Sequence, residues 1–128
     1  MAEQDLARIL LTAAERDRQA YDKLAADPAL HDSVAGFHAQ QAVEKALKAV
    51  LASQGVVFRR THDIAELLDL MQDSGLAEPP HASRLDELNP YAVEMRYGLV
   101  EPGPLDRSGV AAWVHAVLSW AKNLVGQQ

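Results

Sequence analysis

Three polar residues of this sequence fall where an apolar side chain would be expected, and their types suit phosphate and carboxylate chemistry. Gln40 belongs to FHAQQAVEKALKAVL, Phe37 to Leu51. Projected at about 100° per residue, it lies between Leu47 and Leu51 on an arc that also holds Val43 and Val50. Asp17 projects into a stripe formed by Leu6, Leu10, Ala13, Ala20, Tyr21 and Leu24. Arg96 stands in MRYG, beside an aromatic residue and just before Gly98. A buried amide or carboxylate costs free energy unless its polar atoms find partners. Arginine binds carboxylates and phosphates in bidentate fashion. Arg96 is therefore the expected partner of Asp17, and the three residues are expected to share one polar network between helices. The plainer alternatives are a structural ion pair for Asp17 and a helix-terminal cation, favoured by the macrodipole, for Arg96.

A second set shares the other arc of the same segment: His38, Gln41, Glu44, Lys45 and Lys48, followed in the next loop by Arg59 and Arg60. Lys45, Lys48 and the arginine pair are candidates for a phosphate site; the alternative is a solvated face with a Glu44–Lys48 pair one helical turn apart. His62 adjoins Asp63, a candidate helix cap. His31 and His81 fall in loops, and His115 lies on the polar side of the last helical segment with Ser119 and Lys122. Glu78-Pro-Pro-His81 fits E-x-x-H by letters only, because its prolines prevent helical presentation of the ligands. The scattered glycines form no phosphate-cradling loop. These observations give no catalytic set, no metal site and no cofactor.

The segments that must position these residues read as helices. The first spans about Asp5 to Ala26 and stops at Asp27-Pro28. The second spans about Asp32 to Ser53 and ends at Gly55, a plausible C′ glycine. THDIAELL opens the third, with Asp63 as N-cap and Glu66 completing a capping-box-like pair; it ends near Ser74-Gly75. A shorter helical stretch begins near Ser83. Asn89-Pro90 reads as the cap and first turn of a further piece carrying YAVEMRYG. The last helix runs from about Asp106 or Arg107 to Val125. No segment shows strand-like alternation. Long helices and short linkers predict an all-α, antiparallel up-and-down bundle of four to five helices, in a single domain covering residues 1–128. On the last helix Trp113, Val117, Trp120 and Leu124 belong to an apolar arc covering about half the circumference. Packing against two helices would account for it; so would a homodimer interface, which is the expectation here.

Composition bounds the function classes. The 128 residues carry a net charge of −6, which argues against a broad duplex-binding surface while leaving room for a small nucleotide or single-strand site. The absence of cysteine excludes disulfides, thiolate metal sites and cysteine nucleophiles. No secretory signal pattern and no run long enough to span a bilayer is visible, so a soluble cytoplasmic protein is expected.

Taken in order, FHAQQAVEKALKAVL, THDIAELL and YAVEMRYG resemble the HEPN domain family (higher eukaryotes and prokaryotes nucleotide-binding), and Asp17 in AAERDRQAY matches the aspartate common in that family's first helix. The resemblance runs from about residue 5 to 125. It implies a bundle of four or five helices, frequently a homodimer, with nucleotide-related roles. Many small bacterial members resemble partners of a separately encoded minimal nucleotidyltransferase, in toxin–antitoxin-like pairs. Some members are metal-independent ribonucleases using an arginine, four to six intervening residues and a histidine. Arg96 matches that arginine, but no histidine occurs between it and His115. The expectation is therefore a non-catalytic nucleotide-binding or accessory subunit beside a nucleotidyltransferase. Together with the placement of the polar residues, the resemblance makes Gln41, Lys45, His62 and Arg96 candidate ligand-binding residues, with Asp17 and Gln40 supporting them. The alternatives are a ribonuclease toxin, with His38 or His62 supplying the histidine, and a ligand-free dimerisation module.

Overall fold

The structure, a computed structural model, describes residues 2–92 and 103–126. Among them are five α-helices, α1 (Ala2–Ala25), α2 (Asp32–Ser53), α3 (Ile64–Asp73), α4 (Ala82–Leu85) and α5 (Arg107–Gly126), with a 3-10 helix, Asp86–Tyr91, directly after α4. No strand occurs among the described residues. The architecture is an all-helical bundle.

The bundle is organised around α2, which packs on α1, α5, α3 and the 3-10 helix. Of its 22 residues, 15 are buried, so it has no wide solvated face. Small residues make this possible. Ala35, Ala39, Ala42, Ala46 and Ala49 recur at alternating spacings of four and three, all fully buried, and let a neighbouring backbone approach closely. On α1, Ala7, Ala14 and Tyr21 recur every seven residues, also fully buried. Asp17 occupies the heptad position of Leu10 and Leu24, so a carboxylate sits in the seam between α1 and its partners. At Gly36 the approach is closest: a Cβ there would stand 2.6 Å from Tyr91 Cγ and 2.7 Å from Cε1. Glycine is what allows the 3-10 helix to lie on the start of α2.

The helix ends follow local chemistry. His31 caps α2 through Nδ1, which accepts from Ser33 N at 3.0 Å. Its C-terminus turns at Gly55, whose φ of 70° suits glycine, while Val56 N donates to Leu51 O at 3.0 Å, a Schellman-type closure. Asp63 caps α3 by accepting from Ala65 N at 2.9 Å, but the capping box does not close. The Glu66 carboxylate is drawn away by Arg59, at 2.6 and 2.7 Å, and Asp63 N donates to Thr61 Oγ1 instead. Asn89 does not stand as an N-cap before Pro90, and most of the expected YAVEMRYG piece lies outside the described residues. Asn89 lies within the 3-10 helix and reaches back to α3, accepting from Ile64 N and donating to Asp63 Oδ1, both at 3.0 Å. Thr61 thus takes the N–H that Glu66 leaves open, and a remote side chain satisfies the first N–H of α3.

Arg107, at the first turn of α5, ties that helix to the α1–α2 connection. Its guanidinium donates to Asp32 Oδ1 and to the carbonyls of Ala25, Asp27 and Leu30, clamping the α1–α2 connection. Tyr21 donates its hydroxyl to Arg107 O at 2.6 Å, and burial pushes that phenol up to about 12.

The inner stripe of α5 corrects part of the dimer expectation. Val117 is fully buried with Val114 and Ala121 and cannot belong to an interface, because α5 must cover both α1 and α2. Trp113 is half-buried under two side chains of the same chain, with the Arg84 guanidinium 5.1 Å from its ring centre and His81 at 6.5 Å. Trp120 and Leu124 also pack on the core while staying half-buried.

Candidate functional site

The polar side chains of α2 divide into two clusters, one facing α1 and one facing the loop before α3. The first is centred on Asp17. Its Oδ1 meets His38 Nδ1 at 3.0 Å and its Oδ2 accepts from Lys45 Nζ at 2.6 Å. His38 and Lys45 are seven residues apart on α2 and therefore on one face, which is how a single carboxylate from α1 engages both. Each keeps about three-tenths of its side chain exposed, against 12% for Asp17. Two partly exposed cationic or ionisable groups thus sit over a buried anion.

The second cluster has Glu44 at its centre. Oε1 accepts from Gln40 Nε2 and meets His62 Nδ1, each at 2.9 Å. Oε2 accepts from Lys48 Nζ at 2.9 Å. Gln40, Glu44 and Lys48 are successive fours along α2, so they stack one turn above another. Gln40 Nε2 also donates to the His62 carbonyl at 3.0 Å, and Lys48 Nζ to the Thr61 carbonyl at 2.7 Å. Gln41 Nε2 donates to Gln40 Oε1 at 2.6 Å. The Thr61–His62 backbone before α3 is thereby fastened to α2 by side-chain donors. Among the described residues no buried side-chain nitrogen or oxygen lacks a partner.

Glu44 has only 4% of its side chain exposed, while His62 has 45%. As a carboxylate Glu44 can only accept, so His62 Nδ1 carries the proton toward it. The remaining nitrogen, Nε2, is then an acceptor when the ring is neutral and a donor when it is protonated. The ring is held by its inner edge with much of its surface open. That geometry suits contact with a phosphate, a hydroxyl or a base edge.

Several sequence expectations need correction at this point. Asp17 and Gln40 do not share one network; no hydrogen bond among the described residues joins their clusters. The apolar-arc position of Gln40 is satisfied by Glu44, Gln41 and the His62 carbonyl. The supposed outer arc of α2 is not solvated, since Gln41 and Glu44 are buried. Helical projection separates faces but does not say which of them a neighbour will cover. Arg96 lies outside the described residues. The cations proposed for phosphate are compensated to different degrees: Lys45 by Asp17, Lys48 by Glu44 and Arg59 by Glu66, while Arg60 is exposed. The Glu66 carboxylate raises the pKa of Arg59 through its hydrogen bond. Glu44, at the centre of the second cluster, was legible only as half of a Glu44–Lys48 pair. Its fuller role is written in the Gln40–Glu44–Lys48 spacing. No group of His, Asp and Glu among the described residues could hold a metal ion. His115 meets Asp22 at 2.9 Å on the far side of α1, away from both clusters.

A family model for the HEPN domain matches residues 7–124. The chain belongs to the HEPN domain family. No curated protein and no solved structure matches it. Both polar clusters fall inside the HEPN match. In this HEPN chain the polar residues of the second helix are therefore part of the domain itself, not of an appended segment. Among the described residues no helix is long and apolar enough to cross a membrane.

Proposed function

We propose that this HEPN protein is a non-catalytic nucleotide- or RNA-binding subunit that works beside a separately encoded minimal nucleotidyltransferase, in a toxin–antitoxin-like pair. The observation that carries the reading is the pair of clusters on α2. They present His38, Lys45 and His62 as partly open side chains on a rigid, fully hydrogen-bonded base, with Arg59 and Arg60 in the adjoining loop. On a chain of net charge −6, this grouping of lysines, arginines and histidines is a local place for an anion. In the proposed site Lys45 and Arg96 meet phosphate, and Gln41 or His62 bonds a base or ribose. Asp17 and Gln40 hold the cations and the loop in place. The non-catalytic reading rests on the sequence, which has no histidine between Arg96 and His115. A homodimer using the half-buried Trp120 and Leu124 is part of the same proposal.

One observation favours a second reading. The Glu44–His62 pair orients an imidazole for proton transfer, which a metal-independent ribonuclease would need. Thermal unfolding with a panel of nucleoside triphosphates separates the readings. A ligand binding only the folded state at about one hundred times its Kd adds about 2.7 kcal/mol of stability. A shift in wild type that is lost in still-folded Lys45→Ala and Arg96→Ala supports the proposal. RNA cleavage in chelator, abolished by His62→Ala, would replace it with the ribonuclease reading. No shift and no cleavage would leave an interaction module and overturn both.

A further inference from the structure

Far from the α2 clusters in chemistry, the C-terminal half of α3, the connection after it and the start of α4 enclose a cavity of about 500 Å³. Its walls are Leu68, Met71, Leu76, Pro79 and Ala82, with Asp69, Gln72, Glu78 and Ser83 at the margin. The wall residues are buried or half-buried and the four polar ones are exposed, so this is a groove open along one side rather than a closed chamber. Its volume exceeds what one apolar side chain fills and lies within the range of roughly 300–1,000 Å³ typical of ligand sites.

The charge at the margin is one-sided. Asp69 and Glu78 carry carboxylates, and no lysine or arginine is among the lining residues. Elsewhere the chain compensates many of its acids: Glu15, Asp17, Asp22, Asp32, Glu44, Glu66 and Glu87 all take part in ion pairs. Asp69 and Glu78 form no ion pair with any described residue. Apolar walls, one of them methionine, adapt to varied side chains. Two exposed carboxylates beside them select a positive neighbour.

We infer that this groove docks a basic amphipathic helix of a partner protein, inserting two apolar side chains one turn apart with lysine or arginine beside them. The open side fits a helix that keeps its outer face in water. The acidic margin disfavours a nucleic acid strand, and it separates this surface from the cationic grouping on α2. The protein then has two faces of opposite character, one for an anion and one for a cationic protein segment. The inference does not depend on the α2 site having a ligand.

The test uses the full chain, isotope-labelled, titrated with a short helical peptide of alanine, leucine and lysine while backbone amide shifts are followed. Shifts should concentrate in residues 68–83. Ser83→Trp, which fills the margin without touching the core, and Asp69→Asn with Glu78→Gln should each weaken binding. The double neutralisation should cost about tenfold, since two exposed charge contacts together amount to about 1.4 kcal/mol. A peptide with glutamate in place of lysine should not bind. The inference is overturned if the glutamate peptide binds equally, if the variants bind as wild type does, or if no shift appears. It is also overturned if hexylamine reproduces the same shifts at equal affinity, which marks a small-cation site. Concentration-dependent shifts at these residues without peptide would overturn it too, because a second copy of the chain would then be the occupant.

Discussion

Replacing Glu44 with alanine is the sharpest probe of what holds the second cluster together. Breaking a buried ion pair from one side typically costs about 3–5 kcal/mol. The structure places this case at the lower end of that range. Lys48 Nζ keeps the Thr61 carbonyl at 2.7 Å and Gln40 Nε2 keeps the His62 carbonyl at 3.0 Å, so neither donor is orphaned. His62 is 45% exposed and can turn to water. The remaining loss is the charge compensation of a lysine whose side chain is only 12% exposed, together with the packing of one methylene group and the carboxylate. About 3 kcal/mol follows, or roughly 10 °C in Tm for a chain of this size.

Urea unfolding of wild type, Glu44→Ala, Lys48→Ala and the double variant closes a thermodynamic cycle. Residues sharing one buried network couple by about 0.5–3 kcal/mol, and a value above 1 kcal/mol is expected here. If Glu44→Ala costs less than about 1 kcal/mol and shows no coupling to Lys48, the carboxylate is not the centre of a buried network. The account of how the loop before α3 is held would then fail. Amide exchange adds a spatial check: residues 61–63 should lose protection in Glu44→Ala, while α5 should not.

Other perturbations address the frame around the site. Gly36→Ala drives a methyl into the Tyr91 ring and should destabilise by about 1–3 kcal/mol, with Tyr91→Leu partly restoring the loss; denaturant midpoints measure both. Tyr21→Phe removes the hydrogen bond to Arg107 O and should cost about 1 kcal/mol at neutral pH. Because the folded-state pKa of Tyr21 is raised to about 12 from 10.0, its contribution is complete below pH 10 and is lost as pH rises toward 12. The wild-type advantage over Phe should shrink over that window, as read by alkaline unfolding with phenolate absorbance. Asp32 behaves in the opposite sense. The Leu105 backbone N–H and then the Arg107 guanidinium hold it below the ordinary value of 3.8. Its contribution is present above that value and lost as pH falls below it, so Asp32→Asn should narrow the gap between neutral and acid stability in urea titrations.

The helices were legible because their signals are local. Alanine spacing, Gly55 and Gly75 after the second and third helices, and Asp63 ahead of the third all act within a few residues. The expected Asp32–Ser53 helix matches its observed bounds, and the bundle architecture follows from long helices joined by short links. What the sequence did not disclose depends on contacts remote along the chain. Asn89 looked like a cap for its own helix, and in residue type it is one, but the helix it serves begins at Ile64, 25 residues earlier. Asp17 was correctly marked as needing a partner. Its partners come from α2 at positions that a projection of α2 alone assigned to solvent. Val117 looked available on half a circumference of apolar residues because nothing in the α5 sequence reveals that two helices, not one, lie against it. Arg96 falls outside the described residues, so its pairing with Asp17 rests on sequence alone.

The Gln40–Glu44–Lys48 ladder raises a question of energetics whose answer bears on function. A fold of this kind has no thermodynamic need for three polar side chains on its most buried helix; leucine and methionine at such positions often stabilise equally or better, because removing charges from water is expensive. Fastening the loop before α3 takes only the two donors on the Thr61 and His62 carbonyls, not an imidazole held on the same carboxylate. What the ladder adds is direction. It fixes the inner edge of the His62 imidazole, sets which ring nitrogen carries the proton, and keeps Lys48 from turning outward. On the α1 side, Asp17 does the same for His38 and Lys45. Both clusters spend buried charge on holding partly exposed basic side chains in defined poses. A purely structural role would be met more cheaply by apolar packing, so the cost makes physical sense when those poses are used to contact something outside the chain.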